Sequence, residues 1–87
     1  WGMLFMRILI VEDETALAQT LQRGLEEERY AVDAVADGRD AIDYALAAPY
    51  DVIILDVMLP GLDGFTVCRR LRKEGITSHI LMLTALA

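Results

Sequence analysis

The chain has 87 residues, 14 of them acidic and 8 basic, for a net charge of −6. That length allows one small domain. The acidic balance argues against a direct nucleic-acid or anionic-membrane surface. The single cysteine excludes an internal disulfide and fits a reducing, cytoplasmic setting. No apolar run approaches the roughly 18 residues of a membrane span. Apolar residues make up 55% of the chain, high for its size, which suggests surface that needs a partner.

Trp1 to Phe5 is apolar, but too short and too poor in basic residues for a secretory signal. Met6-Arg7 reads as a natural start, so residues 1–5 are expected to be a leader or an artificial addition and residues 6–87 the domain. The first strand is expected over Arg7 to Val11, because the unbroken run Ile8-Leu9-Ile10-Val11 suits a strand buried on both faces. A helix follows over Glu14 to Arg29, with Leu17, Leu21 and Leu25 as its inner stripe. Ala31 to Val35 reads as an edge strand, where Asp33 discourages pairing with other chains. Asp37-Gly38 is turn chemistry.

The second helix is expected over Arg39 to Ala48, with Ala41, Ile42, Ala45 and Leu46 inward, and Pro49 ends it. Val52-Ile53-Ile54-Leu55 is the third strand, and Asp56 to Gly64 is a loop punctuated by Pro60-Gly61 and Asp63-Gly64. The third helix is expected over Phe65 to Glu74, with Phe65, Cys68 and Leu71 on one face and Gly75 as its stop. The fourth strand spans His79 to Leu83.

Strands alternating with helices imply right-handed crossovers and a parallel α/β sheet. The charged second strand belongs at an edge, and the apolar first and third strands belong at the centre. The expected order is therefore 2-1-3-4.

The apolar runs end in chemistry. Glu12-Asp13 follows the first, Asp56 the third, and Thr84 the fourth. Ligands of open α/β sheets bind beyond the carboxyl ends of the strands, so these groups converge on one place. Clustered carboxylates repel unless something offsets their charge. Magnesium does so with oxygen ligands, and it also binds phosphate oxygens. Asp56 can in addition attack phosphorus to form an aspartyl phosphate. The competing account is that Glu12 and Asp13 cap the next helix, where its dipole favours anions. A Thr closing a strand can likewise be a cap.

Ile10-Val11-Glu12-Asp13-Glu14, Leu55-Asp56-Val57-Met58-Leu59-Pro60-Gly61-Leu62-Asp63-Gly64 and Leu83-Thr84-Ala85 together resemble the receiver domain of bacterial two-component response regulators, in wording most like those with a winged-helix DNA-binding output domain. The resemblance implies a flavodoxin-like, three-layer fold. It implies that Asp56 is the phosphoacceptor, charged by a phosphohistidine on a sensor histidine kinase. Asp13, Asp56 and the Met58 carbonyl would hold Mg2+, with Glu12 supporting it through water. Thr84 and the Ala85 amide would contact the phosphoryl group, and Pro60 and Gly61 would aim the Met58 carbonyl inward. DNA would be reached only through a separate output domain. The protein would be a regulator and not an enzyme.

The resemblance also implies a fourth helix, a fifth strand and a fifth helix beyond these residues. The expectation drawn from that is a truncated receiver with little or no stable phosphorylation of Asp56, whose apolar fourth strand promotes self-association. Two other readings compete. One is an inactive assembling fragment. The other is a magnesium-dependent phosphoryl-transfer enzyme on a similar sheet, which would want a second Asp two residues after Asp56, where Met58 stands. His79 is expected at the surface, Cys68 as a small core residue, and Arg69-Arg70-Leu71-Arg72-Lys73 as a solvated helix end.

Overall fold

The computed structural model describes residues 5–83. The elements alternate as the apolar pattern dictates: β1 (Arg7–Val11), α1 (Thr15–Glu27), β2 (Ala31–Val35), α2 (Gly38–Ala47), β3 (Val52–Asp56), α3 (Gly64–Lys73) and β4 (His79–Leu83). All pairings are parallel and the order is β2-β1-β3-β4, as expected. Ile8 through Val11 are buried, because β1 lies between two strands and two helical layers.

Strand alternation sends successive side chains to opposite faces. On one face Leu9, Val11, Ile53 and Leu55 pack with Ala41, Ile42 and Ala45 of α2 and with Val67 and Leu71 of α3. On the other face Ile8, Ile10 and Val32 meet Leu21 and Leu25 of α1. Val67 and Leu71 are wholly buried; each is worth about 1.5–3 kcal/mol relative to an exposed side chain. They lie four residues apart, so both face the sheet and fix the roll of α3.

The helix faces differ from the sequence expectation in three places. Leu17, Leu46 and Phe65 are exposed rather than inward, Leu46 and Phe65 by more than half. In each helix a smaller neighbour takes the inner position: Ala18 in α1, Ala45 in α2, and Gly64 with Val67 in α3. Small residues bring a helix axis close to the sheet, and the stripe then rotates away from the largest side chain. Cys68 is half-buried against the core, as expected. His79 is exposed.

β4 lies at the edge of the sheet, the place the expected order assigns it. Its residues alternate between exposed and half-buried, with Leu81 57% exposed. Among the described residues β4 pairs only with β3, so one edge and part of one face stand open.

The turn chemistry is more specific than punctuation. Asp37 and Asp63 are the N-caps of α2 and α3, accepting from the amides of Asp40 and Thr66, each at 2.9 Å. Such caps satisfy amides that a helix leaves unpaired, typically for about 1 kcal/mol. Asp33 does more than guard an edge. It accepts from the Tyr50 hydroxyl at 2.5 Å and pairs with the Arg7 guanidinium at 3.3 Å, which also lies over the Tyr50 ring.

Candidate functional site

Val11 and Leu55 are register partners, so the residues that follow them emerge side by side at the carboxyl ends of β1 and β3. Glu12, Asp13 and Asp56 each place a carboxylate oxygen there, all within 4.8 Å of one another. The burial is graded. Glu12 is only 6% exposed, Asp56 is half-buried, and Asp13 is exposed.

Backbone hydrogen bonds hold these residues. The Glu12 amide donates to the Val35 carbonyl at 3.0 Å, which ties the end of β1 to β2. The Glu12 carboxylate accepts from the Glu14 amide at 3.1 Å, and Asp56 accepts from the Met58 amide at 3.0 Å. The Val57 amide donates to the Leu83 carbonyl at 3.0 Å, which links the residue after Asp56 to the end of β4.

Helix capping does not explain the acidic pair. The N-cap of α1 is Glu14, and it makes no side-chain cap bond. The one bond from Glu12 goes to the amide of Glu14 itself, outside the first helical turn.

Glu12 has its pKa raised above the usual carboxylate value. Burial is the first cause, and the nearby Asp56 and Asp13 add to it, against the opposing amide of Glu14. Three carboxylates this close make a cation-seeking pocket. The donors are all hard oxygens, one of them almost dry and one open to solvent. That set suits magnesium, which keeps several waters and takes one or two carboxylates.

The loop after Asp56 is shaped by two glycines. Gly61 has φ +80°, a left-handed conformation that favours glycine. Gly64 opens α3 directly beneath the site. A β-carbon there would collide with the Asp56 carbonyl and lie 2.8 Å from the Val57 Cα. Its amide donates to the Val57 carbonyl at 2.8 Å, so α3 starts locked to the strand end. Sequence reading placed Gly64 in a turn and did not see this close approach. The available signal was Asp63 three residues before Thr66, a capping pattern that starts the helix at Gly64.

Met58 lies beside the cluster and is 70% exposed. Thr84 and Ala85 lie outside the described residues.

A response regulator receiver domain profile matches residues 8–87. The chain belongs to the receiver domain family. This receiver is 52% identical over 80 residues to the transcriptional regulatory protein TcrA of Mycobacterium tuberculosis, an alignment covering 92% of this chain and 32% of TcrA. It thus spans about a third of the length of that curated relative. Among solved structures it is similar to the chemotaxis response regulator CheY4 of Vibrio cholerae, with TM-score 0.92, 34% identity, and coverage of 97% of this chain and 72% of that one. It is also similar to the response regulator TrrA of Thermotoga maritima, solved in complex with Mg2+ and beryllium fluoride, with TM-score 0.88, 35% identity, and coverage of 95% and 72%. The flavodoxin-like reading of the fold therefore holds. No helix of the described residues of this receiver is long and apolar enough to cross a membrane.

Proposed function

We propose that Asp56 of this receiver accepts a phosphoryl group from a phosphohistidine of a sensor histidine kinase, and that the change controls transcription through an output domain. The carrying observation is the convergence of Glu12, Asp13 and Asp56 within 4.8 Å at adjoining strand ends. A carboxylate oxygen of Asp56 attacks phosphorus. The phosphorus–nitrogen bond breaks, and its electron pair returns to the imidazole, which takes up a proton.

Asp13, Asp56 and the Met58 carbonyl would hold Mg2+ directly, and Glu12 through water. Bound there, the ion neutralises charge on the transferring group. The residues present fit it: three oxygen donors converge, and none has a cationic side chain within ion-pair distance among the described residues. In this reading buried Glu12 keeps the pocket negative from below, while exposed Asp13 would be a direct ligand. Thr84 and the Ala85 amide are assigned to the phosphoryl oxygens. The relative TcrA, a transcriptional regulatory protein, supports transcriptional output, and the lone cysteine fits the cytoplasm.

Rapid intact-mass analysis after incubation with a small phosphodonor tests the proposal. The expected result is a short-lived gain of one phosphoryl group that needs Mg2+ and is absent from Asp56→Asn. Labelling that persists in Asp56→Asn would reject Asp56 as the acceptor.

A second reading, self-association through β4, draws on its open edge and the exposure of Leu81. Light scattering should show smaller species for Leu81→Lys than for the unaltered chain. Identical scattering from both would remove β4 from consideration.

A further inference from the structure

Beside the start of β1, away from the carboxylates that follow its end, lies a hollow of about 410 Å³. One wall is the flank of α2, with Asp43, Tyr44, Ala47 and Ala48, and the other is Asp33 of β2 with Tyr50. The volume lies in the range of small-molecule sites, which are mostly apolar with a few convergent polar groups. Ala47 and Ala48 are too short to fill it.

Some of its polar groups are already engaged and some are not. The Arg7 guanidinium pairs with Asp33 Oδ2 and lies over the Tyr50 ring, 5.3 Å from its centre. The Tyr50 hydroxyl donates to the same oxygen, so Asp33 Oδ1 accepts no bond among the described residues. Asp43 is exposed and has no ion-pair partner among the described residues, where Arg7–Asp33 is the one ion pair. Tyr44 is 45% exposed although aromatic. Asp33 and Asp43 against Arg7 leave the hollow with an excess of negative charge, in a chain whose net charge is −6.

A cation is drawn to two of these features, the unpaired Asp43 carboxylate and the electron-rich face of Tyr44. The apolar lining asks for a body as well as a charge. A lysine stem is too thin to fill the volume, whereas a ring packs flat against Tyr44 and the alanines. We propose that this hollow binds a small organic ammonium ion with an aromatic body, its ammonium held by Asp43 with Asp33 beside it and its ring against Tyr44, Ala47 and Ala48. The occupant bridges α2 and the edge strand β2. The site is independent of phosphoryl acceptance at Asp56.

Titration of the 87-residue chain with phenethylammonium chloride, followed by amide NMR, tests this. Saturable shifts are expected at Asp43, Tyr44, Ala47 and Ala48. Asp43→Asn and Tyr44→Ala should each weaken binding by roughly threefold or more, since each removes one of two attractions for the cation. Tyr44→Phe keeps the ring and should keep the affinity. Asp43 and Tyr44 are both exposed, so folding is retained and is checked by circular dichroism. Phenethyl alcohol, of the same shape without the charge, should bind roughly tenfold more weakly, since both attractions are lost. N-acetyl-lysine amide should also bind more weakly, and tighter binding by it would replace the small molecule with a partner's lysine and overturn the proposal. No saturable shift, shifts confined to Glu12, Asp13 and Asp56, or equal affinity in Asp43→Asn would overturn it as well.

Discussion

The two ends of the sheet are built from the same strands and handle charge in opposite ways. At the starting end each carboxylate has a complement. Asp33 is met by the Arg7 guanidinium and the Tyr50 hydroxyl, and Asp51 accepts from the Arg7 amide at 2.8 Å. At the finishing end Glu12, Asp13 and Asp56 crowd together, with only the amides of Glu14 and Met58 turned toward them. The first arrangement spends its polar groups on holding β1, β2 and the approach to β3 together. The second leaves free energy unspent, available to a cation that arrives from solution. Structure and reactivity are thus separated along the strands by about five residues.

Magnesium titration is the sharpest way to break this comparison. Asp13→Asn should lower magnesium affinity by about tenfold or more, since one of few direct charged ligands is lost. Asp33→Asn should leave affinity unchanged. Equal affinity in both variants would erase the distinction between the two ends.

Next in size is Gly64→Ala. The added carbon meets backbone atoms of Asp56 and Val57, which cannot swing aside as a side chain would. A loss of about 2–3 kcal/mol is expected in urea unfolding, with weakened magnesium binding because the Asp56 loop shifts. A fully stable variant would show that the start of α3 is looser than described.

Tyr50→Phe probes the satisfied end. It removes one hydrogen bond to a carboxylate and should cost about 1–2 kcal/mol near neutral pH. Burial, and then the Asp33 carboxylate, push the Tyr50 hydroxyl up to about 12. A tyrosine raised in the folded state contributes its full stability below about pH 10, its unfolded value, and loses it as pH climbs toward 12. The unaltered chain should therefore weaken over that window more steeply than Tyr50→Phe. Parallel alkaline curves would remove the hydroxyl from the account.

The smallest effect has the opposite sign. Glu12 is raised, first by burial and then by its acidic neighbours, so its favourable contribution belongs to low pH and disappears as it ionises. Glu12→Gln should stabilise the metal-free chain at neutral pH by about 0.5–1 kcal/mol and reduce the further gain from magnesium. A thermal melt showing destabilisation without metal would mean that the bond from the Glu14 amide outweighs the repulsion.

The parts of this protein that could be read from its residues are those governed by short-range periodicity. Three apolar runs and one shorter segment carrying a charge marked the four strands, and the charge of Asp33 correctly sent β2 to an edge. The convergence of Glu12, Asp13 and Asp56 was also legible, because parallel strands put their carboxyl ends on one side. The helix faces were less so. Leu17, Leu46 and Phe65 have the right spacing to be internal, yet Ala18, Ala45 and Val67 are. Periodicity sets which residues share a face, but how near the helix comes to the sheet decides which of them is central. The Arg7–Asp33–Tyr50 cluster was illegible for another reason. Its members come from three segments that meet only once β1, β2 and the approach to β3 are in register. Asp33 alone shows a charge in a strand, not the partner that waits for it.

Cys68 gives the molecule a built-in clock. It is the sole thiol, and it sits half-buried on α3 against the same core as Val67 and Leu71. Because the thiol is only half-buried, its labelling combines attack on the closed helix with the extra exposure gained when α3 opens, so a change in labelling rate reads a change in that opening with no added probe. Because α3 begins at Gly64, bonded to the residue after Asp56, slower labelling in the presence of magnesium would report occupancy at the strand ends as a change in the helix's breathing rate.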